Sequence, residues 1–307
     1  METAKPKPDV YQMVTDRIIA ELEKGIVPWK QSWAQTGIPQ NLITKRPYRG
    51  INIWLLLSLK YDSNYFLSYN QALTLGGKVK KGEKACPVVF WKRFEKEDEA
   101  TKEKKYTYML RYYNIFNITQ CEGIPESSIP VTNNEIWDGV PIQICEEIVA
   151  KMPQKPVIKH EVNEAYYVPL HDYINMPKPN SFKQSIDYYN TLFHELIHST
   201  GHQSRLNRKE IAQSTSFGSE PYSQEELVAE IGACYLNSVA GTVTESQFSN
   251  NVAYLQNWLK VLKNDKRFII HASAKAQLST DFILNQKADP FEMPKVKEHI
   301  EYEPVHD

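Results

Sequence analysis

FHELIHSTGH, residues 193–202, decides how the rest of this chain is read. His194 and His198 stand four positions apart, so on a helix both imidazoles lie on one face and can reach a single metal ion. Leu192, Phe193, Leu196 and Ile197 flank them. Such apolar neighbours place the helix in a protein interior, where two unpartnered histidines would be costly. The pattern predicts a helix over Ser185–Thr200 that holds one divalent ion, zinc first, with manganese or another divalent ion also compatible. Glu195 follows the first histidine and points to the side where water would lie. That suits a general base, which takes a proton from water and passes it to a leaving amine.

An open hydrolytic site of this kind needs a third protein ligand. QEELVAEIGACYL, residues 224–236, supplies candidates on a second expected helix, Glu225–Val239. Glu226 and Glu230 share one face of it, and the small residues Ala229, Gly232 and Ala233 would let it lie close to the first helix. In a common two-helix design, a Glu on the second helix binds the metal and an acidic residue four positions on supports a ligand imidazole. Glu226 is therefore expected as a ligand, Glu230 as the supporting carboxylate and Glu225 as the reserve ligand. His202 follows His198 by four residues, not the six of a three-histidine site. Its expected role is to support the site or touch substrate. Tyr188, Tyr222 and His202 are all near enough in sequence to stabilise an oxyanion, and nothing in the sequence chooses among them.

The chain carries 36 Lys+Arg and 37 Asp+Glu, a formal net charge of -1. That total conceals a division. Residues 1–125 hold 20 Lys+Arg and 13 Asp+Glu, while the remainder holds 16 and 24. The first part also holds Trp29, Trp33, Trp54 and Trp91, four of the six tryptophans. Cationic grooves with aromatic faces bind single-stranded nucleic acid, because phosphates meet the charges and bases stack on the rings. The candidate contacts are Trp29, Lys30 and Trp33; Arg46, Tyr48 and Arg49; Lys78, Lys80, Lys81 and Lys84; and Trp91 with Arg93. The lysine loop GGKVKKGEKA is not a phosphate loop of the GK[ST] kind, since Gly82 precedes Glu83.

The fold expectation is α+β: a basic α+β domain over 1–125, a linker over 126–140, and a mainly helical domain with a small sheet over 141–307. Asp9 caps a helix that runs to Lys24 and stops at Gly25, with Val14, Ile18 and Leu22 on its buried stripe. Ile51–Lys60 reads as a second helix, and Pro87–Phe94 and Tyr106–Ile118 as strands flanking a charged hairpin tip. Ile142–Ala150 and Asn251–Leu262 are further helices, and Val157–Val168 has strand character. The four scattered cysteines fit reduced thiols and exclude a disulfide scaffold. The N-terminus METAKPKPDV has no apolar core of the signal-peptide kind, and no run approaches the ~20 apolar residues of a membrane span, so the expected location is the cytoplasm.

GIVPWKQSW, RPYRGINIWLL, GGKVKKGEKA, VVFWKRF and YYNIFNITQCEG together resemble the N-terminal domain of ArdC-type antirestriction proteins. FHELIHSTGH followed by YSQEELVAEIGACYL resembles the zincin-type metallopeptidase domain joined to it. The resemblance covers roughly residues 8–285. It implies a domain that binds single-stranded DNA, and duplex DNA in some members, beside a metal-bound peptidase domain. Members travel on conjugative plasmids and other mobile elements and protect incoming DNA from restriction. Two rival classes stay open: a non-catalytic DNA-coating protein with a structural metal, and a regulatory metallopeptidase that cleaves a repressor.

Overall fold

The computed structural model describes residues 9–28, 38–97, 104–130, 141–208, 211, 220–242 and 252–286. The architecture is α+β, as expected. Helix α1 (Val10–Glu23) begins where the side chain of Asp9 accepts from the backbone N–H groups of Tyr11 and Gln12. It ends at Gly25, whose φ of 77° lets Gly25 N–H reach Leu22 O and Ile26 N–H reach Glu21 O. Those paired bonds satisfy carbonyls that the helix end leaves open. Val14, Ile18 and Leu22 are buried along the expected stripe. Helix α2 (Ile51–Leu57) is shorter than predicted and apolar on nearly all sides, as a helix enclosed by its neighbours must be.

Strand β1 is Gln40–Asn41, and β2 is Tyr65–Leu67; a one-and-a-half-turn helix α3 (Tyr69–Thr74) follows β2. Its capping box joins Ser68 and Gln71. Strand β3 is Lys78–Val79, β4 is Cys86–Glu97, β5 is Lys104–Asn117 and β6 is Cys121–Glu122. The long hairpin β4–β5 holds its register from Cys86↔Ile115 to Glu97↔Lys104. Its strands therefore run further into the charged segment than hydrophobicity indicated. Backbone pairing continues there because ladder hydrogen bonds do not depend on apolar side chains. One sheet has the order β1-β2-β5-β4, and β3 pairs with β6.

Helix α4 (Pro141–Lys151) leads into a small sheet of β7 (Val157–Lys159), β8 (Tyr166–Val168) and β9 (Tyr173–Asn175), in the order β7-β9-β8. Helices α5 (Ser185–Ser199), α6 (Glu220–Ala240), α7 (Val252–Asn264) and α8 (Phe268–Ile283) complete the described fold. The sequence pattern missed α8. Its buried positions include Ala272, Ser273, Ala276, Ser279, Thr280 and Asp281, so no apolar stripe marks it. Among the described residues, no helix is long and apolar enough to cross a membrane.

The main core takes side chains from both ends of the chain: Val14, Ile18 and Trp54 join Phe193, Leu227, Leu236 and Ile270 in one cluster. Helices α5 and α6 approach each other closely at Gly232. A Cβ there would sit 2.6 Å from Ile197 Cδ1 and 2.8 Å from Ile197 Cγ1. Ile197 is β-branched and fully buried, so it has little room to move aside. Gly232→Val is expected to destabilise the protein by about 1–3 kcal/mol through overpacking, despite the poor helix propensity of glycine. Chemical denaturation reads the effect; an unchanged midpoint would mean that the helices do not meet at this position.

Candidate metal centre

Helix α5 owes its place to Leu192, Phe193, Leu196 and Ile197, all buried in the core. That packing turns the adjacent stripe, His194 and His198, toward α6. The two Nε2 atoms lie 3.1 Å apart. Across from them, Glu226 places Oε2 3.6 Å from His194 Nε2 and Oε1 3.5 Å from His198 Nε2. One ligand atom from each of the three residues fits within a span of 4.8 Å. A tetrahedral ion with bonds of ~2.0–2.1 Å needs ligand atoms about 3.3 Å apart. The donor set therefore fits a divalent ion: two imidazole nitrogens and a carboxylate face one another.

The electrostatics point the same way. Burial pushes the imidazolium of His194 down, but its hydrogen bond to Glu226 and the charges of Glu195, Glu226 and Glu230 outweigh burial and lift its pKa to about 9. Three carboxylates thus make this pocket favourable to positive charge. Glu195 itself is buried, on the turn that carries both histidines.

One of the carboxylates on α6 supports the imidazole of His198. Glu225, expected only as the reserve ligand, takes the contact: His198 Nδ1 donates to Glu225 Oε1 over 3.2 Å. A carboxylate accepts only, so a proton sits on Nδ1, and Nε2 is the nitrogen that faces Glu226. Glu230, expected in that role, acts on His194 through its charge. Glu225 and Glu226 are about 100° apart around α6. One therefore reaches the deep nitrogen of His198 while the other reaches the open side. Burial pushes Glu225 up, and Arg208 and His198 more than reverse that, leaving its carboxyl below the usual range. Neither Glu225's role nor Arg208 was legible in the sequence, because both depend on how α5 and α6 cross.

His202 is not among the three converging residues; its Nδ1 is bonded to Ser204 Oγ at 2.8 Å. Of the oxyanion candidates, Tyr188 is buried with its ring edge-on to Phe182 and Tyr189. The side chain of Tyr222 lies outside the described residues.

The expected nucleic-acid contacts divide into groups. Trp29, Lys30 and Trp33 lie outside the described residues, as does the side chain of Arg93. Lys81, Lys84 and Arg46 are exposed. Lys80 donates to Thr119 O at 2.8 Å, and Lys78 pairs with Glu122 at 3.2 Å. Arg49 pairs with Asp281 of α8. Tyr48 is packed inside, edge-on to Phe66, so its ring is not open for a base to stack on. Trp91 is half-buried, 6.3 Å from the ring of Tyr11 and 6.0 Å from that of His271.

Residues 8–116 match the N-terminal domain of anti-restriction factor ArdC, and residues 144–275 match a zincin-like metallopeptidase family. The crystal structure of antirestriction ArdC protein from the R388 plasmid, in its metal-free form, superposes with a TM-score of 0.71 at 36% identity, covering 92% of this chain and 100% of that one. This chain belongs to the ArdC antirestriction family. The Mn(II)-bound structure of the same ArdC protein matches with a TM-score of 0.72 at 35% identity, covering 92% of this chain and 99% of that one. An uncharacterised protein, y4eC of Sinorhizobium fredii, is 30% identical over 302 residues, 94% of this chain and 95% of its own length. A DNA primase TraC of Escherichia coli is 32% identical over 319 residues, covering 96% of this chain. The ArdC-family chain spans only 28% of that primase, and 21% of a second TraC primase.

Proposed function

We propose that this ArdC-family protein binds single-stranded DNA through its basic N-terminal part and carries a metal-dependent peptidase site, and that together these protect incoming DNA from restriction in the cytoplasm. The observation that carries the peptidase reading is the convergence of His194, His198 and Glu226 within 4.8 Å beside Glu195. His194, His198 and Glu226 would hold one divalent ion. Zinc suits the motif, and the Mn(II)-bound relative supports manganese as an alternative. When bound, the ion supplies Lewis acidity, which acidifies water and polarises a carbonyl. Glu195 takes the proton of the attacking water and returns it to the leaving amine. Glu225 holds the His198 ring so that Nε2 would be presented to the ion.

The nucleic-acid part rests on the charge excess of residues 1–125, the exposed Arg46, Lys81 and Lys84, and the match to the ArdC N-terminal domain. We expect two functional units, 1–125 and 141–307, joined by 126–140. Binding to a single-stranded oligonucleotide is expected to weaken steeply with salt. About four phosphate contacts would give roughly a 50-fold loss of affinity between 50 and 200 mM salt. Fluorescence anisotropy with a labelled oligonucleotide checks this. A flat response would remove the phosphate-binding role and favour a peptidase whose first part reads protein.

A further inference from the structure

Arg208 lies at the end of the loop that follows α5, and it is 7% exposed. A guanidinium has five N–H donors. Here they all have acceptors: Nε donates to Glu225 Oε2 (2.9 Å), Nη2 to Glu225 Oε1 (2.5 Å) and Ile197 O (2.8 Å), and Nη1 to Thr200 Oγ1 (2.5 Å) and Ser279 Oγ (2.8 Å). One side chain thereby joins the C-terminal end of α5, the first turns of α6 and the second half of α8. The chain is shaped to admit it. At Gly201 a Cβ would stand 3.1 Å from Arg208 Nη2, and Arg208 N–H donates to Gly201 O.

We infer that Arg208 is a positioning residue for the metal centre, fixing the His198 ring by clamping Glu225 in a two-bond fork. The inference rests on the metal-site reading given above. Its geometry is specific. Glu225 is 3% exposed, so its carboxylate is removed from water and needs a cation beside it. Arg208 provides that charge and also sets the carboxylate plane, because both of its oxygens are engaged. Oε1 is the same oxygen that accepts from His198 Nδ1. The His198 ring is therefore held by a group that cannot rotate, and Nε2 is aimed at His194 and Glu226. A lysine could supply charge at this position but not the planar fork. Ser279 accepts from Arg208, which makes α8 part of the support.

Co2+ titration of the metal-stripped full-length protein, followed by visible absorption, tests this. Wild type is compared with Arg208→Lys, Glu225→Gln, the double variant and Ser279→Ala, and the thermal denaturation of each is measured without metal. Arg208→Lys and Glu225→Gln are each expected to weaken Co2+ binding about 10- to 100-fold and to shift the absorption bands. The double variant is expected to lose no more than the weaker-binding single, since the two residues act as one unit. Ser279→Ala is expected to weaken binding several-fold, and it decides the matter if Arg208→Lys does not fold. Wild-type affinity and spectrum in Arg208→Lys or, failing that, in Ser279→Ala would overturn the inference whatever the change in thermal stability. So would losses that simply add in the double variant. Failure of wild type itself to bind Co2+ would instead overturn the underlying metal-site reading, and this inference with it.

Discussion

Glu195→Gln is expected to lower metal-dependent peptide cleavage by about 10²- to 10⁴-fold, while metal content and oligonucleotide affinity stay at their wild-type values. The substitution keeps the size of the side chain and removes its charge and its capacity to accept a proton. Glu195 is not among the three converging ligands, so the ion should remain. Cleavage of an unfolded protein substrate, assayed with and without chelator, gives the readout. Persistent chelator-sensitive cleavage in Glu195→Gln would show that another group moves the proton. If cleavage is lost but antirestriction in a conjugation assay survives, the metal serves structure and the protein acts by coating DNA.

Trp54→Ala is expected to cost about 3–5 kcal/mol of folding stability. Trp54 is fully buried and stacks on Tyr235 with ring centroids 5.1 Å apart and planes 11° apart. Tyr235 lies on α6, the helix that also presents Glu225 and Glu226. The stack therefore fastens the first part of the chain to the helix that contributes Glu226 to the candidate metal centre. Against a total stability of ~5–15 kcal/mol, a loss of this size is large. Urea denaturation followed by circular dichroism measures it. A change below about 1 kcal/mol would show that the cavity closes or that the stack contributes little.

The features that were legible in the sequence share a cause: they depend on spacing along one element. His194 and His198 can be read because four residues make one helical turn, and α1 because Asp9, Val14, Ile18, Leu22 and Gly25 each occupy a position that local chemistry assigns. Gly232 was legible as a close approach because small residues cluster around it. What stayed hidden depends on how elements meet. Whether Glu225, Glu226 or Glu230 reaches a given imidazole nitrogen is set by the rotation of α6 against α5. Helix α8 hides because it is buried on several sides and spends Ser279, Thr280 and Asp281 on contacts with Arg208, Gly232 and Arg49. Arg208, in the polar run RLNRKE, carries no local sign of burial, and only the fold encloses it.

The central claim is that three residues from two helices hold a single divalent ion. Equilibrium dialysis of the purified full-length protein against Zn2+ or Mn2+, with metal content read by atomic emission, tests it most directly. The predicted result is one ion per chain in wild type and its loss in both His198→Ala and Glu226→Ala. Wild type without stoichiometric metal, or His198→Ala retaining a full ion, would contradict the account.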